Sequence, residues 1–207
     1  MQECQLLIDA SERWVLAQSF ESLGLSRCPV LDLGWRAQAL CRHVLCRRLL
    51  PFLDLELPEA AKLLSATSMS IGTSARPLAE HAFVFATGEP TVNRCTKGGL
   101  FSPHVDNGHA LTMLCTLDEP AAFTGGGTNF WPEGVALGSL PAPVIEGLTP
   151  PRGTAILFHG DVMHAGHELH SGVRHLLVAT FTLYEPGTHD LARLPGHWFE
   201  DDFREAT

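Results

Sequence analysis

From about Glu80 to Tyr184 the chain is a succession of short apolar and β-branched runs, each cut off by glycine or proline. "HAFVFAT", "LTMLCTL", "GTAILF" and "VRHLLVATFTL" each read as a strand, and "TVNRCTKGGLFSPHVDNG" reads as a strand, a Gly-Gly turn and a second strand. Turns such as "TGGGTNFWPEG" and "LTPPRG" separate the runs. Many short strands joined this way bury their apolar faces by stacking sheets, which argues for an antiparallel sandwich or barrel of jelly-roll type.

Upstream the pattern is helical. "SERWVLAQSFESLG" opens on Ser11, a capping residue type, and closes on Gly24. "GWRAQALCRHVLCRRLLPFL" repeats apolar residues at helical spacing and is expected to stop at Pro51. "LPEAAKLLSATSM" starts at Pro58 followed by an acid, as helix N-termini do. The expected fold is therefore mainly β with N-terminal helices. It forms a single domain over 1–207, with a helical layer over 1–75 supporting a β core over 78–184.

Composition narrows the partners. With 45% apolar and 18% charged residues the chain is globular, and a net charge of −9 argues against a nucleic-acid backbone as partner. Six cysteines occur without a CxxC pair, so a thiolate zinc site is not expected. "MQECQLLIDASERW" lacks a basic n-region, and no apolar segment is long enough to span a bilayer. These features point to a reducing, cytoplasmic location, with neither nucleic acid nor membrane as partner.

Two stretches carry candidate chemistry. "SPHVDNG" sets His104 and Asp106 two apart, which on a strand puts imidazole and carboxylate on one face. About sixty residues on, "FHGDVMHAGHELHSGVRHLLVATF" holds five histidines: His159, His164, His167, His170 and His175. One histidine from a distant strand would complete a two-histidine, one-carboxylate set, whose open positions suit a non-haem Fe(II) oxygenase. Past the turn at Ser171 and Gly172 comes Arg174, a guanidinium able to grip a carboxylate bidentately.

Taken together, "PHVD…GGGTNF…PPRGTAILF…HAG…SGVR" resembles the 2-oxoglutarate and Fe(II)-dependent dioxygenases of the prolyl 4-hydroxylase-like branch, over about Asn93 to Phe181. The resemblance implies a double-stranded β-helix (jelly-roll) core. It implies His104, Asp106 and His164 as iron ligands and Arg174, ten residues past His164, as the anchor for the distal carboxylate of 2-oxoglutarate. Fe(II), 2-oxoglutarate and O2 are the implied cofactors and co-substrates, with ascorbate as an optional reductant. The implied reaction hydroxylates a peptidyl prolyl or other amino-acid residue while 2-oxoglutarate is decarboxylated to succinate.

The chain also departs from the family. Cys95 stands where a tyrosine usually binds 2-oxoglutarate, which leaves Thr112 and Asn93 as candidates for that contact. Gly127 replaces the acid of the usual Gly-Gly-Glu-Thr turn. Asp106 is kept, which favours hydroxylation over halogenation. Spacing to Arg174 favours His164 over His167, and the remaining histidines of the tract are expected to line the pocket or face solvent. Asp161 is weighed as a support for His164 against a turn role, and Asn107, Asn129, Phe130 and Trp131 as pocket lining against packing. Three further readings stand beside this one: an oxygenase of a free amino acid or small metabolite, a cupin-like metal-binding protein, and a non-catalytic jelly-roll binding module.

Overall fold

The computed structural model describes residues 2–18, 24–67, 77–78, 81–106, 109–135, 137–184 and 197–198. Helix α1 (Gln2–Ala17) buries Cys4, Leu7, Ala10 and Ser11, one stripe at helical spacing. It starts nine residues before Ser11, the expected cap. The apolar stripe extends upstream of that serine, and its hydroxyl satisfies itself on the Ile8 carbonyl at 2.9 Å. Helix α2 (Trp35–Arg42) runs through a π-helical stretch, His43–Leu49, directly into α3 (Leu50–Glu56). The expected stop at Pro51 does not occur. Proline falls in the first turn of α3, where its missing N–H is tolerated, and the wider winding before it relieves the ring's clash with the preceding turn. Helix α4 (Pro58–Thr67) begins on its proline, as expected.

The larger sheet contains β1 (Leu25–Pro29), β2 (Ala82–Phe85), β3 (Thr91–Cys95), β5 (Leu111–Thr116), β9 (Ala155–His159), β12 (Arg174–Tyr184) and β13 (His197–Trp198). Strand β12 is its spine. One edge pairs with β3 from Arg174↔Cys95 to Val178↔Thr91, then with β2 from Phe181↔Phe85. The other edge pairs with β5, which carries β9. Strand β1 adds to β3. A second sheet orders β4 (Phe101–His104), β10 (His164–Gly166), β7 (Thr128–Phe130) and β8 (Ile145–Leu148) as β4-β10-β7-β8. A small ribbon joins β6 (Phe123–Gly125) to β11 (Leu169–Gly172). Every pairing is antiparallel, a mainly β architecture compatible with a jelly roll.

The Gly-Gly turn does not close a hairpin. It carries the chain from β3 in the larger sheet to β4 in the second. Gly99 is required there, because a Cβ on it would sit 2.0 Å from the Gly24 carbonyl oxygen.

Strand β12 is buried on both faces, which accounts for its nearly continuous apolar run. Leu177, Ala179, Phe181 and Leu183 join Leu7, Leu45, Leu50 and Leu53 of the helical segments in one core with Met113. Phe83, Phe85 and Phe181 pack together there, with centroids 5.0 to 6.0 Å apart. The alternate residues Arg174, Leu176, Val178 and Thr180 line a cavity of about 460 Å³. The helices thus cover one face of the large sheet and leave the other to the site. No described helix is long and apolar enough to cross a membrane.

Candidate metal centre

Three side chains converge in that cavity: His104, Asp106 and His164, whose candidate ligand atoms all lie within 4.8 Å of one another. Strand β4 delivers His104 at its end, and β10 pairs His164 directly opposite it. Asp106 lies past the end of β4. Its N–H donates to the Gly160 carbonyl at 2.7 Å, which keeps the carboxylate at the site where strand alternation would have put it. The Asp106 oxygens stand 3.8 and 3.7 Å from Nε2 of His104 and His164.

Both imidazoles are prepared as ligands. Nδ1 of His104 donates to the Ser102 carbonyl at 2.7 Å, and Nδ1 of His164 donates to the Val162 carbonyl at 2.9 Å. A carbonyl only accepts, so each Nδ1 carries the proton and each Nε2 presents a lone pair toward the cluster. His164 is buried against Phe158, at a centroid distance of 4.7 Å. Burial pushes its pKa below the ordinary value, favouring the neutral, metal-binding form. Thr112 donates its hydroxyl proton to Asp106 Oδ2, fixing the carboxylate. Two neutral imidazoles and one carboxylate on one side of a cavity fit an Fe(II) ion with open positions.

Arg174 lines the same cavity and is only 3% exposed. Its terminal nitrogens reach the Gly127 carbonyl at 3.1 Å and the Thr128 hydroxyl at 3.3 Å, while buried Nε has no partner among the described residues. No carboxylate among the described residues pairs with it. Burial pushes its pKa down from the ordinary value, against the opposing charges of Cys95 and Asp118. Burying a guanidinium this way is costly unless an anion joins it. The residues therefore fit a co-substrate carboxylate.

The other expectations sort by location. Asn93 lines the cavity, its Oδ1 held by Thr91 at 3.0 Å. Cys95 lies opposite Arg174 in the β3–β12 register, in an apolar cluster with Phe123 and Leu169. Gly127 adopts φ +83°, and a Cβ there would sit 2.5 Å from Gly147 backbone atoms, so no acid fits at this turn. His159 and His167 are half-buried, and His170, near His167, is exposed. His175 departs from the expectation of pocket lining or surface. It is 3% exposed on the helix side, between Asp118 and Glu12 at 3.1 and 2.9 Å. Asp161 is exposed beside His159 and gives His164 no support. Trp131 donates to the Pro141 carbonyl, Asn129 accepts from the Gly147 N–H and Phe130 packs on Phe158, so all three serve packing. Asn107 lies outside the described residues. Among the cavity residues that escaped the sequence reading are Thr128, Arg27 and Glu89. Only Thr128 had a signal, as the residue closing the "GGGT" turn.

No protein-family model matches the chain, and no curated protein matches it in sequence. In three dimensions it is similar to a prolyl hydroxylase from Trichoplax adhaerens, solved with a hypoxia inducible factor oxygen degradation domain peptide fragment. That likeness covers 88% of this chain and 79% of the other at 12% identity, with a TM-score of 0.52. A structure of prolyl 4-hydroxylases from Phytophthora capsici matches 97% of this chain and 60% of its own at 18% identity, TM-score 0.50. A 2OG-Fe(II) oxygenase family oxidoreductase from Burkholderia pseudomallei aligns over 48% of this chain at 20% identity, TM-score 0.39. The chain spans 43% of that protein's length. Its fold is that of the prolyl hydroxylases, the branch its motifs resemble.

Proposed function

We propose that this protein is an Fe(II)- and 2-oxoglutarate-dependent dioxygenase with a double-stranded β-helix core. Its reaction hydroxylates an unactivated C–H bond of an amino-acid substrate and couples this to decarboxylation of 2-oxoglutarate to succinate. The observation that carries the reading is Arg174, a buried guanidinium with an orphaned Nε in the cavity that holds the His104–Asp106–His164 set. A protein that only binds a metal has no need of that buried cation.

Bound Fe(II) supplies the activation of O2. The chain's own residues do the rest. His104, Asp106 and His164 hold the metal from one side. Arg174 and Thr128 grip the distal carboxylate of 2-oxoglutarate, and Asn93 faces the same space. Thr112 has committed its proton to Asp106, so its part is to orient a ligand rather than to donate to the keto acid. Phe158 and Phe130 pack around His164 and exclude water from that flank.

Peptidyl proline is the substrate that the fold suggests by analogy with the Trichoplax hydroxylase. A free amino acid or small metabolite is the second reading, favoured by the polar groups at the cavity opening described below.

The test is anaerobic titration of the protein with Fe(II) and 2-oxoglutarate, followed by O2 and succinate measurement. A weak visible charge-transfer band is expected, absent in His164→Ala and retained in His167→Ala. Arg174→Ala is expected to raise the 2-oxoglutarate requirement about 30-fold or more, as loss of one member of a buried charge pair does. Failure of the wild-type protein to give the band sinks the oxygenase reading.

A further inference from the structure

Besides Arg174, one other guanidinium lines the cavity: Arg27, on β1. Its strand register puts it opposite Asn93, whose side chain faces the same space, while its neighbour Cys28 turns into the helix-side core. Arg27 remains 47% exposed and ties one terminal nitrogen to Glu89 Oε1 at 2.8 Å. Its remaining N–H groups have no partner among the described residues. Glu89 is only 7% exposed, and its second oxygen accepts the Thr180 N–H.

This pair is poorly explained as a brace. A half-exposed ion pair contributes little stability, and a neutral acceptor would serve the Thr180 N–H without the cost of burying a carboxylate. That cost is visible at Glu89: burial pushes its pKa up, against the opposing bonds from Thr180 and the charge of Arg27. What the carboxylate adds is a fixed anchor that orders a long, flexible side chain at the opening.

The remaining donors then select a ligand. An Fe(II) ion, a 2-oxoglutarate dianion, Asp106 and Arg174 together carry no net charge. Arg27 and Glu89 cancel as well, so what the pair offers the substrate space is a fixed guanidinium with N–H donors still free among the described residues. The cavity's 460 Å³ lies low in the ~300–1,000 Å³ range of small-molecule sites and must also hold 2-oxoglutarate. We infer that Arg27, ordered by Glu89, receives the free carboxylate of a small substrate of amino-acid size. This rests on the oxygenase reading and sharpens it: the substrate is a free acid rather than an internal residue of a peptide.

The experiment uses the full chain loaded anaerobically with Fe(II) and 2-oxoglutarate. The probes are free L-α-amino acids, their C-terminal amides and end-blocked prolyl peptides. At least one free acid is expected to perturb the charge-transfer band and to stimulate succinate release on O2 addition, with its amide about 10-fold weaker or more. Arg27→Gln is expected to raise the KM of that acid by a similar factor and to erase the acid-over-amide preference. The 2-oxoglutarate titration of the band stays in place, and Arg27→Lys restores part of the preference. Thermal unfolding of each variant checks that it folds; if Arg27→Gln does not, the acid–amide comparison on the wild-type protein decides alone. Equal response to acid and amide, stimulation by blocked peptides only, or an unchanged KM in Arg27→Gln overturns the inference. If the band forms but no free acid perturbs it, the inference falls and the oxygenase reading stands. If no band forms, the oxygenase reading itself falls.

Discussion

Thr112 has one hydroxyl proton, and Asp106 takes it. Removing that donor leaves the carboxylate free to rotate away from the metal. Thr112→Val is therefore expected to weaken Fe(II) affinity by about 10–100-fold, the usual cost of losing a group that orients a ligand. Thr112→Ser restores it, as an anaerobic Fe(II) titration would reveal; equal affinity in all three proteins would remove Thr112 from the metal's support. At this scale the cluster of His104, Asp106 and His164, and Arg174 in the same cavity, were legible because these residues fall in short motifs with fixed spacing. Thr128, Arg27 and Glu89 were not. They are ordinary residue types; only strand register brings Arg27 opposite Asn93, and only the packing of one sheet on the other sets Thr128 against Arg174. His175 was misplaced for a related reason. Alternation turns it from the Arg174 face, and the neighbour on the other side is a helix that supplies Glu12.

That contact ties elements together. Glu12 of α1 accepts from Arg94 of β3 at 2.6 Å and meets His175 of β12 at 2.9 Å, fastening the first helix across two strands. Burial raises the Glu12 pKa, but the bonds from Arg94 and His175 outweigh it and hold the group below its ordinary 4.5. A carboxylate with a depressed folded pKa stabilises above its unfolded value and loses that contribution as pH falls through the folded one. Glu12→Gln is thus expected to be less stable than wild type at pH 7, with the gap closing below about pH 4.5. Urea unfolding at pH 7 and in acid measures this; a gap that persists in acid would assign the loss to packing. Among elements, most strands of the core were legible from their apolar runs. Strand β1 was not, because "LSRCP" is short, polar and ends in proline, and it is a strand only by pairing with β3. The Pro51 stop failed because π winding upstream changes the local geometry that the rule assumes.

Across the whole molecule, the site draws on both sheets: His104 and His164 on the second, Arg174 and Thr112 on the larger. A ligand held by both favours the folded chain over the unfolded one. Fe(II) with 2-oxoglutarate, each near 100 times its Kd, adds about 2.7 kcal/mol per saturated site. For a chain of this size that corresponds to a rise in Tm of about 5–10 °C. Anaerobic calorimetry is expected to record it in the wild-type protein, with most of the metal-dependent rise absent in His164→Ala. No rise in the wild-type protein would mean that the sheets do not share the ligand. By itself the sequence determined the strand-rich core, helical periodicity upstream of it, and a short set of candidate ligands, because periodicity and motif spacing are local properties of the chain. Tertiary structure decided which polar groups meet. It brought His104 opposite His164, committed the Thr112 proton to Asp106, left Arg174 buried without a paired carboxylate among the described residues and stood Arg27 at the opening. Those outcomes depend on strand pairing and burial, most of them between residues tens of positions apart, where no local pattern reaches.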